Sequence, residues 1–147
     1  MSARHPAELV EAFQDRTLPK VEWTHEAHLV VCWYALREMS VDESIAHLRA
    51  AIRAYNEATG TSNTDTSGYH ETLTRYYVEA IAQQGGQPLE SIYSAEECRR
   101  NAPLAYWSRD ALFSVAARRD WLEPDLRDLP WRSDILAPRG FRACGTT

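Results

Sequence analysis

Three histidines, His25, His28 and His70, are the residues of this 147-residue chain whose type and spacing best fit chemistry. His25 and His28 are three apart, and an i, i+3 pair of imidazoles on one helix can chelate a metal ion. With His25 at zero and 100° per residue, Leu29, Cys32 and Leu36 fall within about 40° of it and His28 within about 60°. The same arithmetic aligns His70 with Leu73, Tyr77 and Ile81. The three rings are therefore expected to point inward from the ends of two helices and to converge if those ends are neighbours. A helix N-terminus disfavours imidazolium, which keeps such rings neutral and able to coordinate.

The spacing predicts His25, His28 and His70 as ligands of a divalent transition metal, Fe, Cu or Zn, with open positions for substrate. Glu71 and Glu26 stand beside them as candidates for general base or further ligand. Trp23 and Tyr69, each just before a helix start, are expected as hydrophobic staples or pocket walls. Asp65 would orient an imidazole, and Arg109 would anchor an anionic substrate or join a surface ion pair. Three readings stay open. They are a small metal-dependent enzyme with hydrolytic or oxidative chemistry, a metal-free His/Glu acid–base enzyme such as an isomerase or lyase, and a non-catalytic ligand-binding or interaction protein with structural histidines. Cys32, on the same face as the two first histidines, reads as a small buried hydrophobe.

The elements that must position these groups are helical. Pro6 to Phe13 predicts a first short helix with Pro at its first position. Thr24 is an N-cap for a second, running to Met39 and apolar nearly all round, as befits a central helix. Ser40 and Glu43 form a capping box for a third helix to Ala58, stopped by Gly60. Thr61 to Gly68 reads as a polar loop, of which residues 63–69 are expected to gate the site and Thr66 and Ser67 to cap a fourth helix from Tyr69 to Gln84. Shorter helices are expected at Leu89 to Arg100 and Ser108 to Trp121. The fold class is all-α: one domain over residues 1–147, a bundle of about four main helices with an irregular tail from about 129.

Composition narrows the partners. The formal charge is −5 with acids and bases interspersed, so no basic patch for nucleic acid or an anionic membrane is evident, and Asp120 directly follows the Arg118-Arg119 pair. No phosphate loop or dinucleotide fingerprint appears, so no nucleotide cofactor is expected. Three cysteines without a CxxC pair argue against a disulfide framework. The first residues lack a signal-peptide pattern, and a cytoplasmic location is expected. The partner expected is a small-molecule substrate, with Trp121 and Trp131 as candidates for a homodimer contact.

The stretches Trp23-Thr24-His25-Glu26-Ala27-His28-Leu29 and Asn63-Thr64-Asp65-Thr66-Ser67-Gly68-Tyr69-His70-Glu71-Thr72 resemble a family of small bacterial helical proteins with no assigned activity. Tyr55-Asn56-Glu57-Ala58, Tyr106-Trp107-Ser108-Arg109 and the segment from Trp121 to Leu126 extend the resemblance, which covers about residue 10 to about 128. It implies that the segments around the histidines belong to one pattern, as a shared site would require.

Overall fold

Every long helix of this protein starts on a side chain that satisfies its own first turn. The computed structural model describes residues 4–132. Helix α1 (Pro6–Gln14) opens on His5, whose Nδ1 accepts the Ala7 N–H at 3.1 Å while Glu8 reaches back to the His5 N–H. Helix α2 (His25–Glu38) is capped by Thr24. Helix α3 (Val41–Ala58) carries the expected capping box between Ser40 and Glu43. Each such cap satisfies a donor that the helix itself leaves unpaired, stabilising it by about 1 kcal/mol.

A fourth main helix and three short ones follow. They are α4 (Glu71–Ala82), α5 (Leu89–Ser94), α6 (Arg109–Leu112) and α7 (Val115–Arg119). No strand occurs among the described residues, and no helix among them is long and apolar enough to cross a membrane. The all-α bundle of four main helices expected from periodicity is therefore observed.

Helix α2 sits in the middle. Ala27, Leu29, Val30, Val31, Cys32 and Ala35 are all buried, covering its circumference with neighbours from α1, α3, α4 and α5. Ile45, Leu48, Ile52 and Tyr55 supply the inner stripe of α3. Full burial of a side chain of this size contributes about 1.5–3 kcal/mol, which is what fixes the helices against one another.

Three boundaries differ from the sequence reading, each for a physical reason. Helix α4 begins at Glu71 because His70, in an extended conformation, is its N-cap. The expected helix from Ser108 to Trp121 is broken in two, since Ser114 caps a new start by accepting the Ala117 N–H. The segment expected over Leu89 to Arg100 stops at Ser94 and resumes as a 3-10 turn at Glu96–Cys98.

The chain after Pro124 is better anchored than its prolines suggested. The Leu126 N–H donates to the Tyr106 carbonyl, and Leu129 and Trp131 are buried. The rest of the expected tail, with Cys144, lies outside the described residues. Trp131 is only 5% exposed, and half-buried Trp121 packs on Trp107 and under the guanidinium groups of Arg75 and Arg132. These two tryptophans are thus part of the chain's own core, which removes the ground for expecting a dimer contact at them.

Candidate functional site

The N-terminal ends of α2 and α4 are neighbours, and between them lies a cavity of about 480 Å³. His25, His28 and His70 all line it, together with the rings of Trp23, Tyr55, Tyr69 and Tyr77. The size lies within the usual range for a small-molecule site. Lys20 and Arg100 supply its cations, and among the described residues no carboxylate lines it.

The hydrogen bonds of the three imidazoles fix what each can do. A carbonyl only accepts, so the ring nitrogen facing it carries the proton. The His28 Nδ1–H donates to the Thr24 carbonyl at 2.7 Å, leaving Nε2 as a lone pair. The His25 Nε2–H donates to the Cys98 carbonyl at 2.8 Å, leaving Nδ1 as a lone pair. Neither lone-pair nitrogen has a partner among the described residues, and neither is a sealed, orphaned atom. Burial pushes the His28 imidazolium down to about pH 4, helped by the nearby charges of His25 and Arg100 and opposed by the Thr24 carbonyl. The ring is therefore neutral at pH 7. Its face lies 3.8 Å from the Trp23 ring centroid, and Trp23 in turn stacks on Phe13 at 4.7 Å.

His70 is differently employed. Its Nδ1 accepts the Leu73 N–H at 3.1 Å and its Nε2–H donates to the Leu112 carbonyl at 2.7 Å. Both nitrogens are spent, so His70 joins the cavity wall without offering it a lone pair. Burial, and the charge of Arg118, keep its ring neutral in spite of the Leu112 carbonyl. His70→Ala removes a helix cap and orphans the Leu112 carbonyl, an expected loss of about 2–4 kcal/mol in urea denaturation. His70→Asn restores the cap alone and is expected to recover about 1 kcal/mol of that. An alanine variant as stable as the parent would contradict this role.

The remaining predicted site residues are placed as follows. Trp23 and Tyr69 are cavity walls. Glu71 accepts both nitrogens of the Arg49 fork, at 2.9 and 2.7 Å, and the Tyr69 hydroxyl at 2.7 Å. Burial alone would raise its carboxyl, but Arg49 and Tyr69 outweigh that and hold it below the usual range. It lines a different cavity, behind Tyr69. Glu26 is exposed and outside the histidine cavity. Asp65 makes no contact with an imidazole, because Arg119 takes both its oxygens at 2.7 Å. Arg109 is exposed at the start of α6, away from the cavity lining. No group of three or more His, Cys, Asp or Glu side chains among the described residues is arranged to hold a metal ion.

The loop from Thr61 to Gly68 is tied to itself instead of capping α4. Ser67 Oγ donates to the Ser62 carbonyl, and the Thr64 N–H donates to the Ser67 carbonyl. Asn63 Oδ1 accepts from Asn56 and from the Tyr69 N–H, while its Nδ2 donates to the Arg53 carbonyl. Gly68 closes the loop at φ +81°, and a Cβ there would lie 2.5 Å from the Ser62 carbonyl oxygen. Only glycine fits such an approach. The Tyr69-His70-Glu71-Thr72 run is then clamped in turn: Tyr69 to Glu71, Glu71 to Arg49, His70 to Leu112, and Thr72 to Asp120 and Leu122.

No known protein family, curated protein or solved structure matches the chain. The functional reading therefore rests on the site. Sequence reasoning missed several of its members. Thr74, Asn56 and Tyr55 line the cavity, but they read as ordinary helix residues. Arg100 and Lys20 carried no signal beyond their charge. Cys32 does line the cavity, with burial pushing its thiol up to about 12, so it contributes a neutral apolar surface.

Proposed function

We propose that this protein binds a small, flat, anionic molecule in the histidine cavity, with His28 Nε2 and His25 Nδ1 accepting hydrogen bonds from its N–H or O–H groups. The observation that carries this reading is the pair of imidazoles with proton positions fixed by backbone carbonyls in a cavity walled by aromatic rings. Flat rings favour stacking with a flat partner. A carboxylate on the ligand would be met by Lys20 or Arg100, the cavity's cations. Turnover is less well supported. An imidazole with a pKa of about 4 is a weak base at neutral pH, and Glu71 and Glu26 are not at hand to relay protons.

The test is titration with salicylate, 4-hydroxybenzoate and indole-3-acetate, read by tryptophan fluorescence and by the ring resonances of His25 and His28. The expected result is saturable binding, weakened about tenfold in His28→Leu, with the fluorescence change lost in Trp23→Phe. Undisturbed His25 and His28 resonances across the whole panel would count against the reading.

A metal-dependent enzyme is the second reading, and one observation favours it. Metal-binding histidines characteristically donate their other ring N–H to a backbone carbonyl, as His25 and His28 do. Such a site would have two protein ligands, since His70 has no free nitrogen. Stoichiometric Fe, Cu or Zn, lost in His25→Ala and His28→Ala but kept in His70→Asn, would favour it over simple binding.

A further inference from the structure

A second cavity, of about 500 Å³, lies on the other side of Tyr69 from the histidines. Four arginines line it, Arg49, Arg53, Arg118 and Arg119, against three carboxylates, Asp65, Glu71 and Asp120. Two of the acids are committed. Glu71 is bidentate to Arg49, and Asp65 is bidentate to Arg119. Asp120, exposed at the end of α7, is the third.

That leaves Arg53 and Arg118 without a carboxylate partner among the described residues. Arg118 is the more unusual. It is half-buried, its Nη1 donates to the carbonyls of Gly68 and Tyr69 at 2.9 and 3.3 Å, and its Nε–H is buried with no acceptor. A guanidinium partly withdrawn from water is ordinarily matched by an acid. Its desolvation here is met by two carbonyls alone, which lowers its hold on the proton. A forked guanidinium beside a second, uncommitted one is the arrangement that recognises tetrahedral oxyanions.

We infer that this cavity is an oxyanion site, in which Arg53 and Arg118 together bind a phosphate group, either free phosphate or the phosphate of a monoester. The site is independent of the histidine cavity reading, since Tyr69 is the one lining residue that the two cavities share.

The experiment is titration of the full chain with inorganic phosphate and with phenyl phosphate at constant ionic strength, against chloride. Thermal midpoint and the arginine Nε–H resonances are the readouts. Saturable stabilisation by phosphate, absent with chloride, together with a shift of the Arg118 resonance, is expected. Arg53→Ala, at an exposed position that leaves the Arg118 contacts intact, is expected to weaken binding about tenfold. Equal affinity for both probes would assign the site to the free ion, and tighter phenyl phosphate would assign it to a phosphorylated molecule. Stabilisation no greater than that by chloride, or full affinity in Arg53→Ala, would overturn the inference.

Discussion

Glu79→Ala is expected to destabilise this protein by about 3–5 kcal/mol, the largest effect of any single carboxylate in it. Glu79 is 8% exposed, yet it carries four hydrogen bonds. Arg132 takes both oxygens at 3.0 and 2.6 Å, the Trp131 indole N–H donates at 2.8 Å, and Arg75 donates at 3.0 Å. Removing the carboxylate leaves half-buried Arg132 without its partner and the buried indole without an acceptor, and both must then be hydrated or stay unsatisfied. Typical domains are stable by only about 5–15 kcal/mol, so the loss is a large share of the total. Glu79→Gln keeps an acceptor for Trp131 while losing the charge, and should fall between the two. Urea denaturation of the three proteins gives the ranking, and an alanine variant within about 1 kcal/mol of the parent would show that the cluster is a surface ion pair in effect.

Acid should weaken the fold well before its carboxylates titrate. In the unfolded chain His28 gains its proton around pH 6.5, whereas in the fold burial delays this to about pH 4. Between those values the unfolded state binds a proton that the folded state refuses, so stability is complete above pH 6.5 and falls as pH drops toward about 4. A shift of this size is worth on the order of 2 kcal/mol once the ring's partial contact with solvent is allowed for. His70, also shifted down by burial, adds a contribution of the same sign. Glu71 and Glu79 are held below the usual carboxylate value of 4.5 and so lose their contribution only at lower pH, which separates the two phases. Urea midpoints measured across the interval should slope upward with pH, and His28→Gln should remove most of one proton's slope. A flat parent profile there, or an unchanged slope in the variant, would refute the assignment.

The parts of the fold that were legible in the sequence are those whose causes are local. The capping box of α3 joins Ser40 to Glu43, three residues apart, and its inner stripe repeats with the helical period. The nearness of His25, His28 and His70 followed from reading two helix starts and supposing them adjacent, and the cavity does bring the three together. What each ring does was not legible. His70 is an N-cap, a role that Ser, Thr, Asp and Asn usually fill, so the pattern places the helix start two residues early and leaves the ring's Nδ1 looking free when it is held by the Leu73 N–H. Its other nitrogen is spent on Leu112, 42 residues away. Glu71 and Asp65 looked available because Arg49 and Arg119 are distant in sequence, and no local pattern encodes a pair 22 or 54 residues apart. The same holds for Glu79 with Arg132.

The glycines at the two ends of α4 have opposite consequences for how this chain can be altered. Before α4, Gly68 is wedged against backbone, so that position cannot accept a side chain without shifting the wall of the histidine cavity beside Tyr69. After it, Gly85 and Gly86 turn with positive φ in open space, with nothing within 4 Å of where a Cβ would stand. That exposed turn meets the conditions under which inserted segments and relocated termini are tolerated. A label, a tether or a new pair of chain ends placed there would leave the histidine and arginine cavities as they are.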